Sequence, residues 1–463
     1  MKRIAYRLLA VISVWGALGM VEASTRPHYG GTLRVELEAP ARPGASADEL
    51  AAIAPWIFDG LARLNSRGDV EPALAASWEH DAGGSRWTFK LRSGVKWHDG
   101  SALRPDEVAA ALAGCRSGGR VTATSDSVEF SLETPSDTLP MLLASSPGCL
   151  VRRPSAPGAA EGVTGTGAFR LGDWQPGRRA VLVANDDYWG GRPYLDRLEV
   201  QLNRSSRDEL LDLELDRADA VELDPPEARR AHQENNTVWA SAPIELLAIQ
   251  FSASHARPEE RDMRQALSLS LDRAAIQKTL LQNYGEATAS LFPSWVSGYA
   301  FLFPALADLA QARKLASPPG RWPSWKLGYN SGDALSRIVA ERVVLNARES
   351  GLELQAVALD AGPARPGEDA GARLVRYRIE GPTLERAAEE AAETLGFPAP
   401  RDLQPEQVYE AEKGFLESGA VIPIAYVPEL FGLSSRVHPS ADGSAASWGG
   451  LDPAEVWLAP SEP

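Results

Sequence analysis

The sequence is poor in the residues that most often carry covalent or metal chemistry. Its 463 residues include two cysteines, Cys115 and Cys149, and six histidines. Two thiols alone do not make a zinc site, and the histidines show no ligand spacing, which leaves no basis for a zinc centre. In an oxidising compartment the two cysteines either pair or stand as free buried thiols, and the sequence leaves both open. Catalytic signatures are missing too: there is no Gly-x-Ser-x-Gly elbow, no P-loop and no His-Glu-x-x-His. Gly165-Thr166-Gly167 is not a dinucleotide fingerprint, because Arg170 stands where the third glycine is needed. His98 and Asp99 are neighbours in a turn and point apart, with no nucleophile beside them. Positive charge is short: 47 Lys and Arg against 62 Asp and Glu leave a formal −15. That balance argues against nucleic acid, since phosphate binding relies on clustered cations. Beyond residue 23 no apolar run approaches the roughly 20 residues of a membrane span.

What is present begins with an export signal. Lys2, Arg3 and Arg7 precede a mostly apolar run from Leu8 to Met20, and Val21 and Ala23 place small residues before a cut near Ala23. That pattern predicts a cleavable secretion signal over residues 1–23. The whole chain is 44% hydrophobic with 13 Trp, enough to bury large cores, and its length suits two or three domains of roughly 150 residues. Alternation predicts strands at 30–37, 87–91, 168–174, 180–184, 195–202, 352–357, 421–427 and 431–437. Helical spacing appears at 50–61, 262–271, 335–351, 384–395 and 405–419, and Pro105-Asp106-Glu107 suits a first helical turn. Strands and helices mix without a strict βαβ rhythm, so a multi-lobed α/β protein with a mixed sheet is expected rather than a barrel.

Several ordered blocks then resemble one family. They are Gly30-Gly31-Thr32-Leu33, Pro72-Ala73-Leu74-Ala75-Ala76-Ser77-Trp78, and the hairpin from Trp87 to Gly100. Gly165-Thr166-Gly167-Ala168-Phe169, Asn185-Asp186-Asp187-Tyr188-Trp189-Gly190 and Arg264-Gln265-Ala266-Leu267 with Asp272-Arg273 follow. Together they are similar to the extracellular solute-binding proteins of the peptide/nickel type, family 5. The resemblance implies an α/β fold of the periplasmic binding protein type II kind, cluster C, three-lobed, with a hinge and a discontinuous first lobe. It assigns 24–55, 165–245 and 431–463 to lobe I, 56–164 to an inserted lobe with the hairpin, and 246–430 to a shortened lobe III. It implies a non-enzymatic capture component of an ABC importer that binds a peptide or other small molecule by hinge closure and docks on an inner-membrane permease. No cofactor, metal or nucleic acid is implied, and a monomer is expected.

The chain departs from the family where specificity should reside. The stretch 358–403 is short and rich in Ala and Glu, and it offers no clear acidic anchor for a peptide amine. Ligand-binding candidates are Tyr426, Trp295, Tyr299, Tyr377, Glu38 and Arg42, each competing with a structural role. A cysteine anchor at the signal cut is not expected, because the first cysteine is Cys115. The predicted location is therefore a periplasm. The rival readings are a transport-independent sensor or chaperone and a secreted hydrolase, the last disfavoured for want of a nucleophile.

Overall fold

The computed structural model describes residues 27–37, 50–65, 68–115, 119–153, 163–252, 258–318, 322, 324–359, 370–379, 383–400, 403–439, 446–447 and 450–459. The predicted signal and the candidates Glu38 and Arg42 lie outside these residues. The strands used below are β1 (Thr32–Leu37), β2 (Ala75–His80), β3 (Arg86–Leu91), β4 (Gly119–Ala123), β5 (Ser127–Leu132), β6 (Phe169–Gln175), β7 (Arg179–Ala184) and β8 (Arg197–Leu202). Then come β9 (Ala220–Glu222), β10 (Thr237–Phe251), β11 (Glu286–Ala287), β12 (Trp325–Asn330), β13 (Leu354–Leu359), β14 (Ala372–Arg378) and β15 (Val421–Leu433). The helices are α1 (Pro105–Leu112), α2 (Ser206–Glu214), α3 (Pro225–Gln233), α4 (Arg261–Ser270), α5 (Ser294–Ser297), α6 (Ala334–Ser350), α7 (Leu384–Leu395) and α8 (Pro405–Ser418).

One mixed sheet runs in the order β13-β12-β14-β10-β15-β9-β1-β8-β7-β6, with β11 added on β15. A second, four-stranded sheet has the order β2-β3-β5-β4. Separate apolar cores lie along the large sheet. Leu33, Val35, Phe169, Leu182, Val200, Phe431 and Val456 fill one end. At the other end, Leu247, Ile249, Met263, Leu327, Val339 and Ile424 pack on one face, and Leu246, Phe292, Tyr377, Ala391 and Tyr426 on the other. The small sheet has its own core of Trp87, Phe89, Trp97, Val108 and Phe130, with Cys115 and Cys149 joined in a disulfide at its margin.

The blocks that marked the family resemblance fasten these parts together. The buried Asp59 carboxylate accepts from Thr166 Oγ1 at 2.8 Å, Trp189 Nε1 at 2.9 Å and Tyr188 Oη at 3.2 Å. Burial pushes its pKa up, and these three donors pull it back. His98 ring nitrogens meet Gly167 O at 3.0 Å and the Gly165 amide at 3.3 Å. Gly165 is required by close approach, since a Cβ there would stand 2.0 Å from Ile57 O.

Two expectations change. The helix expected over 50–61 is confined to Ala54–Ile57, because Phe58 turns to extended backbone and delivers Asp59 to its three donors. The strands expected at 421–427 and 431–437 are one 13-residue strand, β15, running straight through Pro428. Its partner β10 is 15 residues long and was not foreseen. Its buried half, Ile244 to Phe251, is nearly all apolar, and such a run has no period to read.

Candidate functional site

The pairing of β10 with β15 places the site. These two strands cross from one end of the large sheet to the other. Thr237–Ala240 pairs with Leu433–Leu430 beside β9, whereas Glu245–Gln250 pairs with Val427–Val421 beside β14. Register breaks on both sides of Pro243, which faces Pro428. Neither proline can donate to the ladder, so the pairing is weakest at the crossing.

Strand direction brings two sets of termini to this crossing. β1, β8 and β9 are mutually parallel, as are β12, β13 and β14. β9 and β14 are antiparallel to β15 and β10 respectively, so the carboxyl ends of the two parallel sets face each other across the crossing. The crevice outside carboxyl ends of parallel strands is where α/β folds bind ligands.

The residues delivered there are charged. Arg376 on β14 donates from Nε and Nη2 to Glu245 Oε2 at 2.8 and 2.6 Å. Its Nη1 lies 3.5 Å from Asp333 Oδ2 and 3.8 Å from Asp224 Oδ1. Asp224 follows β9 at the N-cap of α3, and Asp333 follows β12 and caps α6 through the Ser336 amide at 2.8 Å. Arg378 pairs with Glu429 on β15, whose amide donates to Ser241 Oγ at 2.9 Å. Among the described residues four carboxylates thus surround two guanidiniums, an acidic balance. Burial opposes the Arg376 charge, yet Glu245, Asp333 and Asp224 hold its pKa well above the usual value. Burial raises Asp224 to about 6 against the pull of Arg376, with Asp333, Glu227 and Glu245 adding to the rise. One strand away, Glu36 at the carboxyl end of β1 is raised to about 7 by burial, opposed by Arg204 at 3.5 Å.

The six sequence candidates fall in different places. Glu38 and Arg42 lie outside the described residues. Trp295 on α5 donates from Nε1 to Pro243 O at 3.2 Å, which sets it against the crossing. Tyr426 and Tyr377 meet around Leu246 in the core under α7 and α8, on the sheet face opposite Arg376. Tyr426 is fully buried, and its hydroxyl donates to Leu291 O at 2.5 Å. Tyr299 is half-buried and stacks edge-on against Tyr409 at 5.3 Å. The charged group at the crossing was missed. Asp224-Pro225 and Asp333 with Ser336 carry capping signals in the sequence, but nothing in it brings Glu245 to Arg376 except the strand register.

Among the described residues there is no group of three or more His, Cys, Asp or Glu arranged to hold a metal ion, and no helix is long and apolar enough to cross a membrane. Strand carboxyl ends that face each other across two crossing strands mark this as the candidate ligand crevice.

The family model described as bacterial extracellular solute-binding proteins, family 5, matches residues 69–368, and the chain belongs to that family. A similar curated relative is the probable D,D-dipeptide-binding periplasmic protein DdpA of Escherichia coli, 27% identical over 256 residues, 50% of this chain and 49% of that one. The match thus spans about half that relative's length. Among solved structures, the periplasmic binding protein DppA of Helicobacter pylori in complex with peptide STSA superposes with TM-score 0.76 at 17% identity, covering 93% of this chain and 98% of the other. NikA of Brucella suis in complex with Fe(III)-EDTA superposes with TM-score 0.76 at 17% identity, covering 93% and 100%. The type II periplasmic binding fold is therefore shared, with no enzyme among these relatives.

Proposed function

We propose that this protein captures a small solute, a peptide or a similar compound bearing a cationic group, in the crevice at the β10–β15 crossing, and presents it to an inner-membrane ABC permease. The observation that carries this reading is the acidic cluster at facing strand termini beside a proline-weakened crossing. Residues 24–55, 165–245 and 431–463 would then form lobe I, 56–164 the inserted lobe and 246–430 lobe III. Closure rotates lobe III about Pro243 and Pro428, a few residues at element junctions absorbing the change. It excludes water from the crevice, which strengthens each charge interaction with the ligand. Asp224 in lobe I, Glu245 at the lobe boundary just past Pro243, and Asp333 in lobe III accept the ligand's ammonium, and Arg376 keeps the empty crevice from holding three unpaired carboxylates. The sequence pattern over residues 1–23 and the family's location support export to a periplasm with a cut near Ala23.

Native mass spectrometry of the protein purified from its own host tests the assignment. A co-purified cationic peptide or amine is expected. A co-purified sugar or anionic solute would overturn it.

A further inference from the structure

A separate cavity of about 320 Å³ lies between β11 and the turn Ala300–Leu302, on the sheet face opposite the acidic crevice. We propose that it is a second binding site, for a small molecule with a flat apolar body and one amine.

The cavity is built, not accidental. β11 pairs with β15 over only two residues, Glu286 with Tyr426 and Ala287 with Ala425. Gly285 at φ +80 lets the chain enter so closely that a Cβ there would stand 2.1 Å from Tyr426 O. The chain then leaves the sheet, turns back through Gly298 at φ +68 and overhangs the edge strand. Tyr299 and Phe303 fix the overhang by packing on Tyr409 of α8, at 5.3 and 5.5 Å. The far wall is held by Tyr426 Oη on Leu291 O and by Glu412, which accepts from Ser290 Oγ at 2.7 Å and the Leu291 amide at 2.5 Å. The walls are therefore set before any ligand arrives, and the volume is at the lower end of small-molecule sites, roughly 300–1,000 Å³.

The lining gives the ligand's chemistry. Ala287, Pro293, Phe301, Phe303, Pro304 and Tyr426 give it apolar walls beside the polar Glu286, Thr288 and Ser294. Among the described residues its charged lining residue is Glu286, whose Oε2 accepts from Ser294 Oγ at 3.2 Å, and no Lys or Arg lines it. At the rim Phe301 is 79% exposed, and in the same loop Leu302 is 50% and Leu306 80% exposed. Apolar side chains held in water beside a cavity mark a surface that a ligand covers. A ring stacks against Phe301 and Phe303, and its amine reaches Glu286.

Phenethylamine titrated calorimetrically into the full-length protein tests this. Wild type is expected to bind with a dissociation constant of about 1 mM or tighter, a modest efficiency for so small a ligand. Phe301→Ala, at an exposed position, should weaken binding about tenfold by removing the stacking surface. Glu286→Gln should weaken it about threefold, as expected for a partly solvated ion pair. Asp224→Asn should remove only the part of the amine binding that the crevice contributes and leave the Phe301-dependent part in place, and the carboxylate analogue 3-phenylpropionate should not bind at the Phe301 cavity. Absence of binding to wild type, equal binding of the carboxylate, or loss of binding in Asp224→Asn with Phe301→Ala unaffected would each overturn the proposal. The last outcome places the amine in the crevice and leaves the proposed transport function standing.

Discussion

Replacing Asp224 with Asn should stabilise the protein at neutral pH while weakening ligand capture. Asp224 is 8% exposed, and its pKa is raised to about 6 chiefly by burial, in spite of Arg376 at 3.8 Å. The folded value lies above the ordinary 3.8, so between pH 4 and 6 the folded chain holds a proton that the unfolded chain has released. Stability from this group therefore falls as pH rises through that window and stays low above it. A shift from 3.8 to about 6 corresponds to about 3 kcal/mol. Asn fills the same volume without charge, so Asp224→Asn should gain up to about 3 kcal/mol at pH 8 and almost nothing at pH 4. Urea unfolding at both pH values, followed by tryptophan fluorescence, reads the difference. A stability gain in Asp224→Asn at pH 8 would fit the proposed role of this carboxylate in ligand capture. Destabilisation of the variant at pH 8 would refute the reasoning and assign Asp224 to a net-stabilising ion pair with Arg376.

Three other outcomes follow from named contacts. Arg376→Met leaves Glu245, Asp333 and Asp224 without their shared cation; with the Arg376 side chain 28% exposed, a loss of about 2 kcal/mol at pH 8 is expected, shrinking at pH 5 as carboxylates protonate, read by urea melts. Cys115→Ala with Cys149→Ala opens a link spanning 34 residues and should cost about 3–4 kcal/mol by chain entropy, measured by thermal unfolding and matched by reductant on the parent protein. Gly165→Ala drives a methyl against Ile57 O and should cost about 2 kcal/mol or more, lowering the melting temperature.

The local architecture was readable where sequence patterns are local. The strand at Trp87, the cap at Asp272 and the helices ending at Gly351, Gly396 and Gly419 depend on residues a few positions apart. The hairpin expected from Trp87 to Gly100, by contrast, does not form: β3 pairs with β2 and β5, and Lys96 only bridges to Ala102. The site was not, because its members are brought together by register. Glu245 meets Arg378 across one strand pair and Val427 across another, from positions more than 130 residues distant in each case. Tyr377 drew notice as an aromatic in the expected segment, yet alternation along β14 sends it to the core and sends Arg376 and Arg378 to the other face. The acidic anchor proposed above draws on residues at the start of α3, on β10 and at the start of α6, whose capping and strand positions give no outward sign of a common destination.

Closure of the crevice at the proline crossing around a bound solute would bring α3 and α6 together. Nitroxides at Arg230→Cys on α3 and Arg337→Cys on α6, both exposed, flank the crevice. The native cysteines are bonded to each other and leave these labels unambiguous. Pulsed electron resonance on protein as purified from its host, compared with the same protein stripped by unfolding and refolding, should show the shorter distance in the loaded form. Identical distance distributions in the two forms would contradict the account.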